Sequence, residues 1–410
     1  MTKWQARPHQ IQIASEALPI LKEYGLVYLA MEERTGKSIT ALLMAEACKE
    51  VRHVLIITTK KALEGWQETL EKFPHTTACT LINYHSAHKA KGKFQLAILD
   101  EAHKYISGYP KTSKLWSYVF HLVYGLPIIY CSATPHAQGP QLLVNQFKLS
   151  KWNPWANFKD FYAWFKHYAQ RDKEGNLPTT KISPTQTVID YSKIRTKEAL
   201  DSVKHLFVTY TRQELGFEQE PEDVLHFIEL KQKTKDIYNI IAKDKVVAFT
   251  HSESGKDYNL VCDSSAKLRW ALHMLEGGVL KINDEHINLG NNEKVEYILK
   301  TWGDSADLAI MYHFKADAIK LGRHFKNAGL FQASSYAEGV DLSHYKHLVI
   351  YSQNHSTAQH TQRRARQANM NRKEEIKVHY LLVKGAASHK AYKAVSINKV
   401  NFVDTVFERI

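Results

Sequence analysis

The sequence lacks the apolar segments that would place a protein in or across a membrane. No uninterrupted run of 18 apolar residues occurs among its 410 residues, whereas a membrane-spanning helix needs about 20. The first residues, Met1-Thr-Lys-Trp-Gln-Ala-Arg7, contain no apolar signal region. We therefore expect neither a membrane span nor secretion, and a cytoplasmic location.

Cysteine is scarce as well. The four cysteines, Cys48, Cys79, Cys131 and Cys262, lie far apart and include no Cys-x-x-Cys pair. This spacing argues against a zinc site and suits a reducing compartment, in which the cysteines act as small buried apolar residues.

Acidic residues are fewer than basic ones. The chain has 42 Asp and Glu against 55 Lys and Arg, a formal net charge of +13, and the surplus is spread along the chain without a basic tail. Such a surplus of positive charge favours a polyanion such as nucleic acid as partner. The alternative is that the charge only keeps the protein soluble.

The stretch from Leu26 to Ser38 has the pattern of a phosphate-binding loop. An apolar segment precedes Gly36-Lys-Ser38, and a segment with helical spacing follows it. Backbone N–H groups in such a turn, at the positive end of a helix, bind anionic oxygens. We expect Lys37 to reach the β- and γ-phosphates of a nucleotide and the Ser38 hydroxyl to hold Mg²⁺. Met31 stands where the full pattern has glycine, and the predicted nucleotide contacts in the loop are Arg34, Thr35, Gly36, Lys37 and Ser38.

Polar residues at two other positions are candidates for binding, and each has a structural alternative. Gln10, in a predicted helix upstream of the loop, can pair with the edge of adenine or lie on the helix surface. Thr58, Thr59 and Lys60 follow an apolar strand, whose carboxyl end faces the ligand side of an open α/β sheet. These three residues either contact a nucleic-acid backbone or cap the loop.

An acid pair follows the next apolar strand. Asp100 and Glu101 come directly after Leu96-Ala-Ile-Leu99, and adjacent carboxylates are costly to bury unless a cation or hydrogen bonds satisfy them. We expect Asp100 to hold Mg²⁺ and Glu101 to orient or deprotonate the attacking water. His103 would then be a relay residue.

The strand after the acid pair ends in two hydroxyls, Ser132 and Thr134. Their place at the end of a neighbouring strand predicts that they couple the acid pair to the second half of the protein.

In sequence order, Gln10, Gly36-Lys-Ser38, Asp100-Glu-Ala-His103 and Ser132-Ala-Thr134 resemble the motifs of a superfamily 2 helicase. The resemblance implies an α/β fold with two RecA-like parallel-sheet domains in tandem, which hydrolyse ATP between them. It places the first, ATP-binding domain at residues 1–150.

Residues 151–220 interrupt the α/β alternation and are predicted to form a small helical insert or linker. Trp155, Phe158, Tyr162 and Phe165 recur at helical spacing, which indicates a core stripe, although aromatic residues interleaved with lysines can also stack on bases. The stretch from Phe207 onward resembles the segment by which Swi/Snf-like ATPases enter their second RecA-like domain.

Residues 221–410 again alternate apolar strands with helical segments, as a second parallel sheet does. Gly339 and Asp341 match the fifth motif of the family. The resemblance implies that this turn approaches the cleft and contacts the ribose or the nucleic acid.

Arginines in the last part of the chain match the sixth motif. Gln359, Arg363 and Arg366 share one face of a predicted helix. Two guanidinium groups there are expected to neutralise charge on the γ-phosphate from across the cleft between the domains. Arg364 is expected to lie on a solvated face.

The resemblance implies an ATP-dependent DNA translocase or helicase with ATP and Mg²⁺ as cofactors. The resemblance points to the Swi/Snf-like branch and to compact phage-encoded proteins, for which the location is the host cytoplasm. Duplex DNA is favoured over single-stranded DNA and over RNA, and protein partners would belong to replication or recombination. Two alternatives remain: a nucleic-acid-stimulated ATPase that clamps without moving, and an RNA helicase.

Overall fold

The computed structural model describes residues 3–133, 135, 139–183, 186–217, 219–251, 254–333, 342–353, 360, 363–367 and 373–397. These residues pack into two compact units, which divide between Gly216 and Phe217. Within the described ranges, no helix has both the length and the apolar character needed to cross a membrane.

The first unit is built on a parallel sheet. Its described strands are β1 (Leu26–Met31), β2 (His53–Thr58), β3 (Ala78–Asn83), β4 (Leu96–Asp100), β5 (Ile128–Cys131), β6 (Thr179–Ser183), β7 (Gln186–Ile189) and β8 (Phe207–Tyr210). The sheet order is β3-β2-β4-β5-β1-β8, and every neighbouring pair is parallel. Strands β6 and β7 form a separate antiparallel hairpin. Because parallel strands end at one edge, the residues after β1, β2, β4 and β5 converge there.

Helices connect these strands. They are α1 (Pro8–Tyr24), α2 (Lys37–Ala47), α3 (Leu63–Lys72), α4 (Lys114–Val123), α5 (Gln141–Phe147), α6 (Phe161–Tyr168) and α7 (Thr196–Asp201), with short 3₁₀ segments at Tyr84–Lys89, Ala102–Lys104 and Lys204–Leu206. Helix α1 has proline in its first turn, where no N–H partner is lost. It ends at Gly25, whose φ is 64°. A Cβ at Gly25 would lie 2.2 Å from the Trp152 ring, so glycine is required there.

Part of the aromatic stripe of the predicted insert packs into the core of the first unit. Trp155 is 4% exposed and Phe165 is fully buried, in the same apolar cluster as Tyr28 and Tyr130 of the sheet. Trp155 and Phe165 are therefore core residues, whereas Phe158 packs at the edge of the cluster and the half-buried Tyr162 is not part of it.

Strand β8 belongs to the first sheet, although its sequence was expected to lead into the second domain. It pairs in parallel with β1, with Tyr28 opposite Phe207 and Met31 opposite Tyr210. The difference has a physical reason: apolar periodicity identifies a strand, whereas the choice of sheet depends on tertiary packing.

The second unit contains another parallel sheet. Its described strands are β9 (Glu222–Phe227), β10 (Val246–Thr250), β11 (Asp257–Val261), β12 (Val279–Ile282), β13 (Glu285–Asn288), β14 (Leu308–Tyr312), β15 (Gly329–Gln332), β16 (His347–Ile350) and β17 (Lys377–Leu382). The sheet order is β15-β14-β16-β17-β9, all parallel. The hairpins β10–β11 and β12–β13 lie outside this sheet. Its described helices are α8 (Gln232–Asp244), α9 (Ser265–Glu276), α10 (Glu293–Thr301), α11 (Lys315–His324) and α12 (Ala387–Ile397).

The predicted fold class is confirmed: the chain is α/β, with two parallel-sheet units in tandem. The hairpin β10–β11 was not predicted.

Candidate nucleotide-binding site

The predicted phosphate-binding loop joins the buried strand β1 to helix α2. All six residues of β1 are buried. Arg34 and Gly36 have left-handed backbones, with φ of 67° and 88°, and α2 begins at Lys37 directly after Gly36. The loop therefore ends at the positive end of a helix at the carboxyl edge of the sheet, an arrangement that binds anions. Ser38, the predicted magnesium ligand, lies in the first turn of α2.

Two side chains of the loop bond to its own backbone. Lys37 Nζ donates hydrogen bonds to the carbonyl oxygens of Met31 at 2.9 Å and Glu32 at 2.8 Å. The buried Thr35 hydroxyl also donates to Glu32 O, at 2.8 Å. Charge-assisted bonds to a phosphate are stronger than bonds to neutral carbonyls, so the Lys37 ammonium can exchange these partners for an anion.

Gln10 contacts the loop directly. It is 2% exposed, its Oε1 accepts from Arg7 N at 2.8 Å, and its Nε2 donates to Gly36 O at 3.4 Å. A Cβ at Gly36 would lie 1.9 Å from Gln10 Nε2, so both the space and the backbone conformation require glycine there. The structure therefore excludes the helix-surface alternative for Gln10, and its contact with adenine stays a prediction.

Asp100 is fixed by hydrogen bonds from two other elements. Its Oδ2 accepts from Thr58 Oγ1 at 2.7 Å and from Trp66 Nε1 at 2.9 Å. Burial raises the pKa of Asp100 to about 6, and Glu101 acts in the same direction, whereas Thr58, Trp66 and Lys37 oppose the rise. An oriented carboxylate is the kind of oxygen ligand that Mg²⁺ prefers.

Glu101, His103 and Ser132 form a chain of contacts. Glu101 has a left-handed backbone, with φ of 52°, and its Oε2 lies 3.0 Å from Lys104 Nζ and 3.7 Å from His103 Nε2. His103 Nδ1 lies 3.0 Å from Ser132 Oγ. The structure thus brings together the predicted relay residue and one of the two predicted coupling hydroxyls.

The loop cation and the acid pair share one electrostatic environment. Burial acts to raise the pKa of Glu101, but Lys104, His103 and Lys37 outweigh burial and hold that pKa at about 2. Lys37 also acts to lower the pKa of Asp100. Lys37 follows β1 and the two acids lie at the end of β4, with β5 between these strands in the sheet. The lysine nevertheless acts to lower the pKa of both acids. Glu101 is therefore ionised at neutral pH, beside a cation in a phosphate-type loop.

The three predicted nucleic-acid contacts after β2 divide into two groups. Thr58 and Thr59 are buried, at 0% and 1% exposed. Thr58 donates to Asp100, and Thr59 Oγ1 accepts from Ala62 N at 3.2 Å, which is the loop-capping alternative. Their hydroxyls are not placed for contact with a nucleic-acid backbone. Lys60 is exposed, and its contact with nucleic acid stays a prediction.

Sequence reasoning missed two residues that support this site. Trp66 lies 34 positions before Asp100, to which it donates. Arg212, just after β8, is 5% exposed; it lies 3.8 Å from the Glu32 carboxylate and 3.6 Å from that of Glu33, and its backbone N–H donates to Glu32 at 2.7 Å. The acidic pair in the loop was the available signal for a buried cation.

The two predicted arginines of the second unit are buried. Arg363 is 1% exposed and Arg366 is 9% exposed, and burial lowers the pKa of Arg363 to about 10. The expectation that Arg364 is solvated is wrong. Its Nε donates to Asp223 Oδ1 at 2.5 Å, and its Nη2 donates to Pro221 O, because the neighbouring strand β9 presents an acid to it.

Four predicted site residues lie outside the described part of the chain: Thr134, Gly339, Asp341 and Gln359. Their proposed roles in coupling, nucleotide contact and catalysis remain predictions.

No known family model and no curated protein matches this sequence. Solved structures similar to this chain include two ATPase cores from one archaeon. One is the Sulfolobus solfataricus SWI2/SNF2 ATPase core in complex with dsDNA, with 13% identity, coverage of 97% of this chain and 92% of that chain, and a TM-score of 0.43. The other is the S. solfataricus SWI2/SNF2 ATPase core domain, with 14% identity, coverage of 99% and 91%, and a TM-score of 0.43. At scores this low the fold assignment rests on the two sheets themselves.

Proposed function

We propose that the protein is an ATPase that couples hydrolysis to movement along DNA, a translocase or helicase of the Swi/Snf-like type. The observation that carries the proposal is the carboxyl edge of the first sheet. There, Gly36-Lys37-Ser38 opens a helix, and the acid pair Asp100 and Glu101 ends a buried strand within the field of Lys37.

The residues of this edge fit a nucleotide and Mg²⁺. Ser38 and Asp100 would hold the metal, which polarises phosphate oxygens and neutralises their charge. Lys37 would bind the β- and γ-phosphates, and Gln10 the adenine. Glu101, ionised and bonded to Lys104, would orient the attacking water. Its depressed pKa favours orientation over strong basicity.

Residues of the second unit would complete the reaction. Arg363 and Arg366 would neutralise charge that develops on the γ-phosphate, and Gln359 would assist them. Gly339 and Asp341 would contact the ribose or the nucleic acid. Through His103, Ser132 and Thr134, hydrolysis would be coupled to movement, and the 3.0 Å contact between His103 and Ser132 supports such a connection.

DNA is the proposed partner because the chain carries a formal net charge of +13, which favours a polyanion. Lys60 is an exposed cation at the same sheet edge. A duplex is favoured over a single strand and over RNA, as the resemblance of the motifs to the Swi/Snf-like branch implies. A compact phage-type protein in the host cytoplasm, with partners in replication or recombination, is the accompanying proposal.

The deciding experiment is ATP turnover with duplex DNA, single-stranded DNA and RNA, followed by displacement of a third strand from a triplex. We expect duplex DNA to stimulate turnover most strongly and triplex displacement to require ATP. DNA binding should weaken steeply with salt, because phosphate contacts release counterions. Stimulation without displacement would indicate a clamp, stimulation by RNA alone an RNA helicase, and absence of turnover would overturn the proposal.

A further inference from the structure

The second unit contains a pocket at the point where the connections of its sheet change direction. Strand β14 continues to β15 on one side, whereas the adjacent strand β16 continues to β17 on the other. In open α/β sheets, the crevice outside the carboxyl ends of two such strands is where ligands bind. Phe314, two residues beyond β14, and Gln353, three residues beyond β16, both line this pocket.

Gln353 has a buried amide that lacks a hydrogen-bond partner. It is 2% exposed, and among the described residues neither its Oε1 nor its Nε2 has a partner. Leaving both a donor and an acceptor unsatisfied is costly in a folded protein. An amide held in this state is suited to a ligand that offers one acceptor and one donor side by side, as the edge of a nucleobase does.

The backbone that carries this amide is held firmly. The carbonyl of Tyr351 accepts from the buried Lys294 Nζ at 3.0 Å. The hydroxyl of Ser352 donates to Asp317 Oδ2 at 2.5 Å and accepts from His313 N at 2.7 Å. The two residues before Gln353 are thus fixed, which restricts where its side chain can lie.

An aromatic side chain and basic groups complete the pocket. Trp270 of α9 lines it and is 58% exposed, the most exposed large apolar side chain among the described residues. Arg269 and Lys390 also line it and are exposed. No described lining residue is acidic. A ring for stacking, an amide for the base edge and cations for a phosphate match the chemistry of a nucleotide.

We propose that this switch-point pocket binds one unpaired nucleobase of a nucleic-acid strand, stacked on Trp270 and hydrogen-bonded to Gln353, with the adjacent phosphate at Arg269 and Lys390. The inference rests on the helicase form of the proposed function, because strand separation supplies an unpaired base whereas an intact duplex does not. A free nucleotide offers the same chemistry. The inference gives the second unit a contact with a base of the nucleic acid, in addition to any contact with its sugar-phosphate backbone.

The test is a titration of the full chain into a single-stranded oligonucleotide that contains 2-aminopurine, whose fluorescence falls on stacking. We expect wild type to quench it and Trp270→Ala to lose affinity about five- to a hundredfold, the range for one lost base–aromatic stack. Trp270→Phe should restore most of the affinity. Tyr124→Ala removes a similarly exposed aromatic side chain from the first unit and should leave the quenching unchanged.

A second variant separates binding from folding. Gln353→Met keeps the volume but removes the unsatisfied amide, so we expect a melting temperature equal to or above that of wild type together with weaker quenching. A lower melting temperature with unchanged quenching would show that the amide is structural and would overturn the inference. Unchanged affinity in Trp270→Ala would do the same.

Two further arms identify the source of the base. If AMP binds with affinity lowered by Trp270→Ala, while the oligonucleotide is indifferent to that change, the pocket takes free nucleotides and the assignment to a strand is overturned. ATP turnover is measured on the same samples. Stimulation by DNA that persists without any quenching defeats only this inference, whereas a wild-type protein that binds no nucleic acid at all defeats the proposed function.

Discussion

Lys37 Nζ donates a 2.9 Å hydrogen bond to the carbonyl oxygen of Met31, the residue that stands where the full loop pattern has glycine. Met31 is the last residue of β1 and is fully buried. Its side chain therefore packs in the core, while its carbonyl faces the lysine. Position 31 contributes its backbone carbonyl to Lys37 and not its side chain. Methionine in place of glycine therefore leaves the loop intact around Lys37.

Replacing Lys37 with alanine removes the cation of the loop. We expect Lys37→Ala to lower ATP turnover about 10²- to 10³-fold, the typical effect of losing one group that stabilises charge in a transition state. The fold should survive, because among the described residues Lys37 Nζ donates to two nearby backbone carbonyls, those of Met31 and Glu32. Turnover and circular dichroism test this, with the exposed Lys49→Ala as control. A folded Lys37→Ala protein with normal turnover would exclude nucleotide binding at this loop.

Replacing Glu101 with glutamine keeps its shape but removes its charge. We expect Glu101→Gln to bind Mg-ATP and to hydrolyse it at least about a hundredfold more slowly, as expected for losing a group that positions water. Nucleotide binding and single-turnover hydrolysis separate the two effects. Glu71→Gln, on the exposed face of α3, is the control. Equal hydrolysis in the two variants would make Glu101 a structural partner of Lys104.

The candidate site could be predicted from the sequence where chemistry sits at the ends of apolar strands. Lys37, Asp100 and Glu101 fall where their motifs placed them, and the contact between His103 and Ser132 follows because β4 and β5 are adjacent parallel strands. Strand ends converge in a parallel sheet, so one strong motif locates the others.

The parts that could not be predicted depend on long-range packing. Trp66 reaches Asp100 from α3, and Arg212 reaches Glu32 from the end of β8. Neither pairing leaves a periodic signal in the chain. Arg364 shows the same limit in the second unit: helical spacing placed it on an outer face, yet Asp223 lies against that face.

The Arg364–Asp223 pair leads to a prediction about stability. The two side chains are 13% and 9% exposed, so Arg364→Ala would leave a nearly buried carboxylate without its main cation. We expect the free energy of unfolding to fall by about 3 kcal/mol, measured by urea denaturation. Arg195→Ala breaks an exposed pair with Glu198 and should cost less than about 1 kcal/mol. Similar losses in the two variants would show that burial adds nothing to the Arg364 pair.

Arg366 should affect catalysis rather than nucleotide binding. If its guanidinium neutralises charge on the γ-phosphate, Arg366→Ala should lower DNA-stimulated turnover on the order of 10³-fold, with little change in ATP affinity. Arg363→Ala should behave alike, but Arg363 is the more buried of the two, so its folding must be checked first. Turnover and ATP affinity are compared with those of Arg195→Ala. If DNA still stimulates ATP turnover in both variants, these arginines of the second unit take no part in hydrolysis.

A histidine pair in the second sheet predicts that this unit loses stability in acid. His379 Nδ1 lies 3.0 Å from His226 Nε2, on the neighbouring strand. Burial lowers the pKa of His379 from 6.5 to about 4, and His226, His347 and Lys377 add to the effect. In the unfolded chain the pKa returns to about 6.5. Between these two values the unfolded state binds more protons, so stability must fall as pH falls.

This loss of stability is absent above about pH 7 and grows as the pH falls from there towards 4. We expect His379→Phe, which keeps an aromatic ring without a titrating group, to show a shallower decline in the urea midpoint between about pH 7 and pH 5. His286→Gln, which replaces an exposed histidine on β13, is the control. His226, whose pKa is also lowered by burial, should give a partial effect as His226→Phe. Parallel curves for wild type and His379→Phe would mean that the proton taken up on acid unfolding binds elsewhere.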